Sequence, residues 1–398
     1  MKAYLKEGNR WSIFSKPSHL IKYIDGKIYT AIYPIIDWKR IDTYTKDNPI
    51  DSLRAWWRSH LKEINPSGFL VGFLSYDLGY LLERRLARPK PALINSPDFY
   101  FVIFDEREKC SDPGLIFEKA QLPAYTVDSL VSDSDYAKKI ELLIEEIENG
   151  NVYEINLSRP WLLRLAENLD PLQLFAFLNR FNPAPYAGYF ETDTGQTISS
   201  ASPECLIQKN SNHISTFPIK GTRATVNEDH KLDQQQVVDL KASIKERAEH
   251  IMVVDLERND LGRICQPGSI KVKELAKEYS FAHVHHLVSE VSGTLRSESD
   301  SFEVLKALFP GGSITGAPKL SAQSLIQRHE DWCRGLYTGS LGYITSDDDA
   351  HFNILIRTLL YQRNSREIYT QTGGGIVYDS EAIAEIEETK IKLRGLLW

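Results

Sequence analysis

Apolar and polar residues follow each other in short blocks along the first 125 positions, and those blocks set the expected elements. KIYTAIYPII, GFLVGFLSYD and DFYFVIFDE are β-branched and aromatic runs that read as strands, separated by the breakers NPSG and ARPKP. SLRAWWRSHLKEI, Ser52 to Ile64, instead has helical spacing. QLPAYTVDSLVSDSD reads as a crossing segment. From Ser134, DYAKKIELLIEEIENG predicts a helix, with Asp135 as its cap, Leu142, Ile144 and Ile147 as its apolar positions and Gly150 as its stop.

Beyond residue 150 strands alternate with helices. YEINLSRPWLLRL, YAGYFET, TISSASPECLIQK, HISTFPIK, SIKVKELAKEYS and VHHLVSEVSGTL read as strands. So do LYTGSLGYIT, FNILIRTLLYQ and EIYTQTGGGIVYD. Helices are expected over PLQLFAFLNRF, started by Pro171, over one long stretch from Asp233 to Asp260, over SFEVLKALF and APKLSAQSLIQRH, and over the closing AIAEIEETKIKLRGLL. Runs of antiparallel strands with helices outside predict a layered α+β fold.

The totals narrow the function. At 398 residues the chain suffices for two domains or one large interleaved globule. A net charge of −7 argues against a nucleic-acid binder, which needs a basic field. Cys110, Cys205, Cys265 and Cys333 are scattered singly, so neither a zinc site nor a disulfide framework is suggested, and a reduced cytoplasmic setting is expected. The N-terminus MKAYLKEGNRW has no apolar signal core. The most apolar stretch, Gly68 to Leu82, is interrupted by Ser75 and Asp77 and reads as a buried strand and turn, not a membrane span.

Several segments carry candidate chemistry. SSASPECLI turns at KNSN and returns as HISTFPIKGT, which sets Glu204 and Lys220 near the open end of one hairpin. They either share a site or form a salt bridge at a sheet edge. Glu246 and Glu249 are three apart on a helix; Glu385 and Glu388 repeat that spacing on the closing helix, with Lys392 one turn on. Each pair is either a solvated face or half of a site for a hard divalent cation such as Mg²⁺. Glu-x-x-His spacing is missing, so a di-iron centre is rejected. FPGGSITGAPK lacks the Lys-Ser/Thr of a phosphate-binding P-loop. Gly373 to Gly375 present bare amides that bind a carboxylate or permit a tight bend. His283 and His285 share one strand face and His286 the other, which disfavours zinc. Arg357 sits in an apolar strand-like run, where a buried guanidinium needs an anion.

Taken in order, NVYEINLSR, NPAPYAGYF, SSASPECLI, PIKGT, KERAEHIMVVDLERNDLGRIC, GSIKV, VHHLVSEVSGTL, LFPGGSITGAPK, RGLYTGSLGY, FNILIRTL and GGGIVYDSEAIAEIEETKIK closely resemble the chorismate-utilising enzymes. The likeness runs through residues 134–397 and more weakly through residues 1–125, via GFLSYDLGYLLE. It implies the layered fold of the anthranilate synthase large subunit: a β-rich N-terminal part interleaved with a chorismate-binding region. Within the family, PIAGT is usual in anthranilate synthases, and the lysine of PIKGT marks the aminodeoxychorismate synthases.

The resemblance thus implies amination of chorismate at C4, for folate precursors, through a covalent intermediate on Lys220. Glu204 becomes the acid and base, and Mg²⁺ is held by Glu249 and Glu388 with Glu246 and Glu385. Gly221, Thr222, His286, Tyr343, Arg357, Gly373, Gly375 and Lys392 become substrate contacts. Attack by Lys220 requires a neutral amine, expected from burial. Glu154 departs from the family, standing where amine-adding members carry Gln and water-adding members Lys. No segment resembles a glutaminase, so a separate glutamine amidotransferase subunit is expected to supply ammonia. An anthranilate synthase, another chorismate enzyme and an inactive partner-binding subunit are the alternatives.

Overall fold

The computed structural model describes residues 1–41, 48–83, 86, 93–115, 122–225, 230–280 and 284–397; within these, the side chains of Thr222, Ala224, His230, Lys245 and Val284 fall outside the description. All strand pairings among the described residues are antiparallel, and they link into one continuous, strongly curved sheet. From one end, Lys271–Ser280 and Ile219–Ala224 flank Val284–Thr294, which pairs on with His213–Phe217, Cys205–Asn210, Ala350–Asn353, Ser340–Thr345 and Phe69–Leu74. The sheet continues through Phe99–Cys110, Arg10–Ile24, Ala3–Glu7, Gly188–Glu191, Gln196–Ser200, Thr358–Gln362 and Glu367–Ile376 to Glu154–Leu165. Strands from the two ends of the chain therefore alternate in space.

The strands form where the pattern demands. Phe69–Leu74 and Phe99–Phe104 are buried almost throughout, and their continuous apolar runs supply both faces of the sheet with core. Aromatic side chains dominate one core, in which Phe14, Phe73, Tyr100, Phe104 and Phe190 interlock. A second, mostly aliphatic core lies under the helices Ser301–Leu308 and Lys319–His329. No helix among the described residues is long and apolar enough to cross a membrane.

Local chemistry moves several expected boundaries. Ser132, not Asp135, caps the helix Asp133–Glu148: its hydroxyl accepts from Asp135 N at 3.1 Å. That helix buries Tyr136, Ile140 and Leu143, while Leu142 faces out. The long helix expected over Asp233 to Asp260 is two helices, His230–Ala242 and Ile244–Gly262. Ser243 interrupts it, with ψ at 110° and its side chain accepting from Glu246 N at 3.2 Å. Part of the segment read as a crossing is a strand, Tyr125–Ser129.

Two helices decide where chemistry is possible. Ile244–Gly262 packs on Ile219–Ala224 and Val284–Thr294, and the closing helix Ala382–Leu397 packs on Glu367–Ile376. The space between them is lined from below by the last sheet strands.

Candidate active site

A cavity of about 850 Å³ opens between those two helices. Lys220, Gly221, Glu204, His286, Arg357, Gly373, Gly375 and Lys392 line it, as do Glu246 and Glu249 from one helix and Glu385 and Glu388 from the other. The structure thus gathers onto one surface residues that lie as far apart as 204 and 392.

Lys220 reaches the cavity because its strand is irregular. The register against Val284–Thr294 slips between Lys220, which faces Leu287, and Thr222, which faces His286. Gly221 occupies the slip at φ +73°, and a Cβ there would lie 2.9 Å from Leu240 Cδ1 and 3.1 Å from Glu246 Oε2. Only glycine fits. The Lys220 ammonium forms a short ion pair with Glu154 Oε1; the carboxylate is 2% exposed and the lysine side chain 14%. Gly375 accommodates the pair, since a Cβ on it would come within 3.1 Å of Lys220 Nζ. The neutral lysine expected from burial is corrected here. Burial does pull the Lys220 pKa down, but the charge and hydrogen bond of Glu154, with the fields of Glu249 and Glu204, outweigh it and hold the pKa above its ordinary value.

Glu204 has the opposite character. Its carboxyl is 3% exposed and accepts from Ser313 Oγ at 2.6 Å and from Ile219 N at 3.4 Å. Burial pushes its pKa up to about 7, against the pull of the Ser313 hydroxyl, and the nearby Glu257 adds to the rise. A carboxyl poised there both gives and takes a proton near neutrality. Ser313 is held in turn by its loop, where Gly312 N donates to buried Glu257 at 3.1 Å and Thr315 Oγ1 donates to Gly311 O at 2.8 Å.

The cationic wall is set by backbone geometry. Arg357 is not inside a strand: the run FNILIRTLL splits into Ala350–Asn353 and Thr358–Gln362, and Arg357 lies at the break with φ +50°. That conformation costs a non-glycine residue about 1 kcal/mol or more, and here it turns the guanidinium into the cavity. No ion pair joins Arg357 to a described residue, and burial lowers its pKa. Lys392 Nζ donates to Gly373 O at 2.6 Å and pairs with Glu388 at 2.6 Å. Because N–H and C=O of one residue leave an antiparallel strand on the same side, this contact places the Gly373 and Gly375 amides on one edge. His286 Nδ1 donates to Gly221 O at 3.2 Å, so Nε2 is the acceptor nitrogen; burial, then Arg357, lowers its pKa to about 4 and keeps the ring neutral.

One expected contact falls elsewhere. Tyr343 does not line the cavity: it belongs to a buried strand paired with Phe69–Leu74, and its hydroxyl bonds Glu7 at 2.6 Å and Arg107 at 2.7 Å. Tyr337, from the same RGLYTGSLGY segment, lines it instead, with its hydroxyl 2.9 Å from the position a Cβ on Gly373 would take. The Thr222 side chain and His283 lie outside the described residues. His285 bonds Asp233 at 2.9 Å and Ser280 at 2.8 Å, away from the cavity wall. Sequence reasoning also missed Asn156, Ser313 and Arg223, all on the wall. A polar residue next to GG in FPGGSITG was the available signal for Ser313.

The four helix carboxylates face one cavity but are not drawn into a cage. Among the described residues no group of three or more His, Cys, Asp or Glu side chains is clustered as metal ligands. Glu246 bonds Arg223 at 3.0 Å, and Glu388 bonds Lys392. This donor set still suits Mg²⁺, which takes one or two carboxylates and completes its shell with water and a substrate anion.

Comparison with known proteins follows this geometry. A family model described as chorismate binding enzyme matches residues 3–397. Anthranilate synthase component 1 of Saccharolobus solfataricus is 35% identical over 402 residues, covering 96% of this chain and 93% of its own. Aminodeoxychorismate synthase component 1 of Salmonella typhimurium is 40% identical over 386 residues, covering 90% and 84%. The crystal structure of anthranilate synthase component I from Streptococcus pneumoniae superposes with a TM-score of 0.83 at 26% identity, over 98% of this chain and 92% of that one.

Proposed function

The chain belongs to the chorismate binding enzymes, and from that premise we propose that it replaces the C4 hydroxyl of chorismate by an amino group, giving 4-amino-4-deoxychorismate. The observation that carries this reading is Lys220 and Glu204 on the wall of one cavity. Lys220 Nζ, once neutral, bonds to C2 of the substrate. Both ring double bonds shift, and the C4–O bond breaks as Glu204 protonates the departing oxygen, which leaves as water. Ammonia then bonds to C4, the C2–N bond breaks with its electron pair returning to Lys220, and Glu204 takes the proton that the new ammonium group gives up.

Arg357 supports substrate binding directly, because a buried guanidinium with no carboxylate partner among the described residues favours an incoming one. Lys392, Tyr337 and the Gly373 and Gly375 amides add donors on the same wall. Neutral His286 offers an acceptor beside Gly221. Glu249 and Glu388, with Glu246 and Glu385, would hold Mg²⁺, which when bound screens a substrate carboxylate from these four negative charges. Ammonia is proposed to come from a separate glutamine amidotransferase subunit. The purified chain should then turn over chorismate with ammonium salts but not with glutamine, and glutamine-driven turnover by the chain alone would refute that part.

A second reading is an anthranilate synthase component, supported by 35% identity across 96% of the chain. Incubation with chorismate, Mg²⁺ and ammonia separates the two. Aminodeoxychorismate supports the first reading; anthranilate with pyruvate supports the second. Intact-mass spectrometry with ammonia withheld should reveal a substrate adduct, mapped to Lys220 by peptide analysis. The absence of any adduct would remove the covalent step.

A further inference from the structure

Lys220 attacks only as a free amine, yet the structure holds it as an ammonium. The same contact that creates this obstacle removes it. Glu154 Oε1 bonds the Lys220 ammonium directly, and the carboxylate is almost fully buried. Its second oxygen, Oε2, is buried and accepts no hydrogen bond from any described residue. A structural ion pair would normally have both oxygens satisfied. Glu154 is not among the residues that line the cavity; Lys220 and Gly375 form the wall in front of it. It therefore meets neither substrate nor ammonia, and Lys220 Nζ is its outlet.

We propose that Glu154 is the base for Lys220: it takes a proton from Nζ before the amine attacks and returns it once the amine is released. This rests on reading Lys220 as the nucleophile. Protons balance. The resting pair is ammonium and carboxylate. Transfer of one proton leaves a neutral amine and a carboxylic acid, and the amine's lone pair forms the bond to carbon. When ammonia displaces the lysine, the electron pair of the C–N bond stays on nitrogen, and the acid gives its proton back. Glu204 handles the proton of the departing water separately, so the two carboxyls divide the work. Among the described residues, Glu204, Glu249 and His250 also act on Lys220.

The test is the rate of adduct formation in full-length protein with chorismate and Mg²⁺, ammonia withheld, from pH 6 to 9.5. Glu154→Gln keeps a hydrogen-bond acceptor but no base. Its adduct rate at pH 7 should fall about a hundred-fold and then climb by up to about tenfold per pH unit until Lys220, whose pKa drops once the Glu154 charge is gone, is itself neutral. Glu154→Asp, with the base one methylene short, should be slowed while keeping the wild-type pH profile. An unchanged rate in Glu154→Gln overturns the proposal. So does a loss that is the same at every pH, which is the mark of a positioning role. If Glu154→Gln does not fold, a Glu154→Asp profile that climbs like an uncatalysed lysine overturns it equally. Wild-type protein that forms no adduct at any pH instead removes the nucleophile reading, and this proposal with it.

Discussion

Among the described residues, two of the buried ion pairs are built to opposite ends. Arg334 and Glu330, four apart at the end of a helix, are each 1% exposed. Arg334 uses every N–H it has: Nε and Nη2 on the two Glu330 oxygens at 2.9 and 2.8 Å, Nη2 on Asn156 O, and Nη1 on Ile314 O and Thr338 Oγ1. Glu330 accepts a further bond from Ser158 N at 2.8 Å, and the guanidinium lies 4.6 Å over the Tyr76 ring. Lys220 and Glu154 form one contact and leave a carboxylate oxygen without a described partner, and Lys220 faces a cavity. A saturated pair fixes strands and loops to one another, whereas an unsaturated pair retains protons that can move. The two lie close: Arg334 grips Asn156 O, two residues from Glu154 on the same strand, so the rigid pair holds the strand that carries the reactive one.

The comparison breaks most severely at Lys220. Lys220→Ala should lower amination turnover by about 10³ or more, the scale seen when a covalent nucleophile is removed. It also leaves Glu154 buried without its counter-charge. The double variant Lys220→Ala, Glu154→Gln should therefore regain stability, read as a denaturant midpoint, without regaining turnover. If the double variant is no more stable than the single one, the Lys220–Glu154 pair is not buried in the sense argued here.

Next in size is the rigid pair. Arg334→Met leaves the Glu330 carboxylate buried alone and should cost about 3–5 kcal/mol in unfolding free energy. Arg334→Met with Glu330→Leu should recover much of that, since a buried ion pair replaced by apolar groups of similar volume is often neutral. Turnover by whatever fraction remains folded should change far less than in Lys220→Ala. A variant that is stable but inactive would place Arg334 with the chemistry instead.

The Lys220–Glu154 partnership was not legible along the chain, and the reason is physical. Glu154 and Lys220 are 66 residues apart and meet only because the sheet curves, so no local period joins them. What the chain does display is periodicity: i, i+3 carboxylates on two helices and apolar runs for the strands. It also displayed a stop that went unread, since Ser243 followed by Glu246 is the serine and acid spacing of a helix start. Arg357 is harder. Apolar residues on both sides of it look like one strand, and a positive φ leaves no mark in a hydrophobic pattern. The two tyrosines of RGLYTGSLGY differ only in which side of the turn they occupy, which pairing with Phe69–Leu74 decides.

The smallest expected effect sharpens the contrast through pH. Two carboxyls near the reactive pair, Glu204 and Glu257, are pushed up to about 7, each mainly by burial. A carboxyl whose folded pKa is raised disfavours its own ionisation. Its contribution to stability is full below about 4.5, the unfolded value, and is lost as pH rises through about 7. Over that span the loss is on the order of 3 kcal/mol per group at most, because 2.5 units correspond to that amount. Stability should therefore fall from about pH 4.5 to just above 7 and level off beyond it, and turnover should fall above about 7 as Glu204 loses the proton it must donate. Glu257→Gln separates the two trends. It should flatten the decline in denaturant midpoint, because one ionisation is gone. It should also move the alkaline limb of turnover to lower pH, because the like charge that helps raise the Glu204 pKa has been removed. An alkaline limb that stays in place would show that Glu204 does not set it.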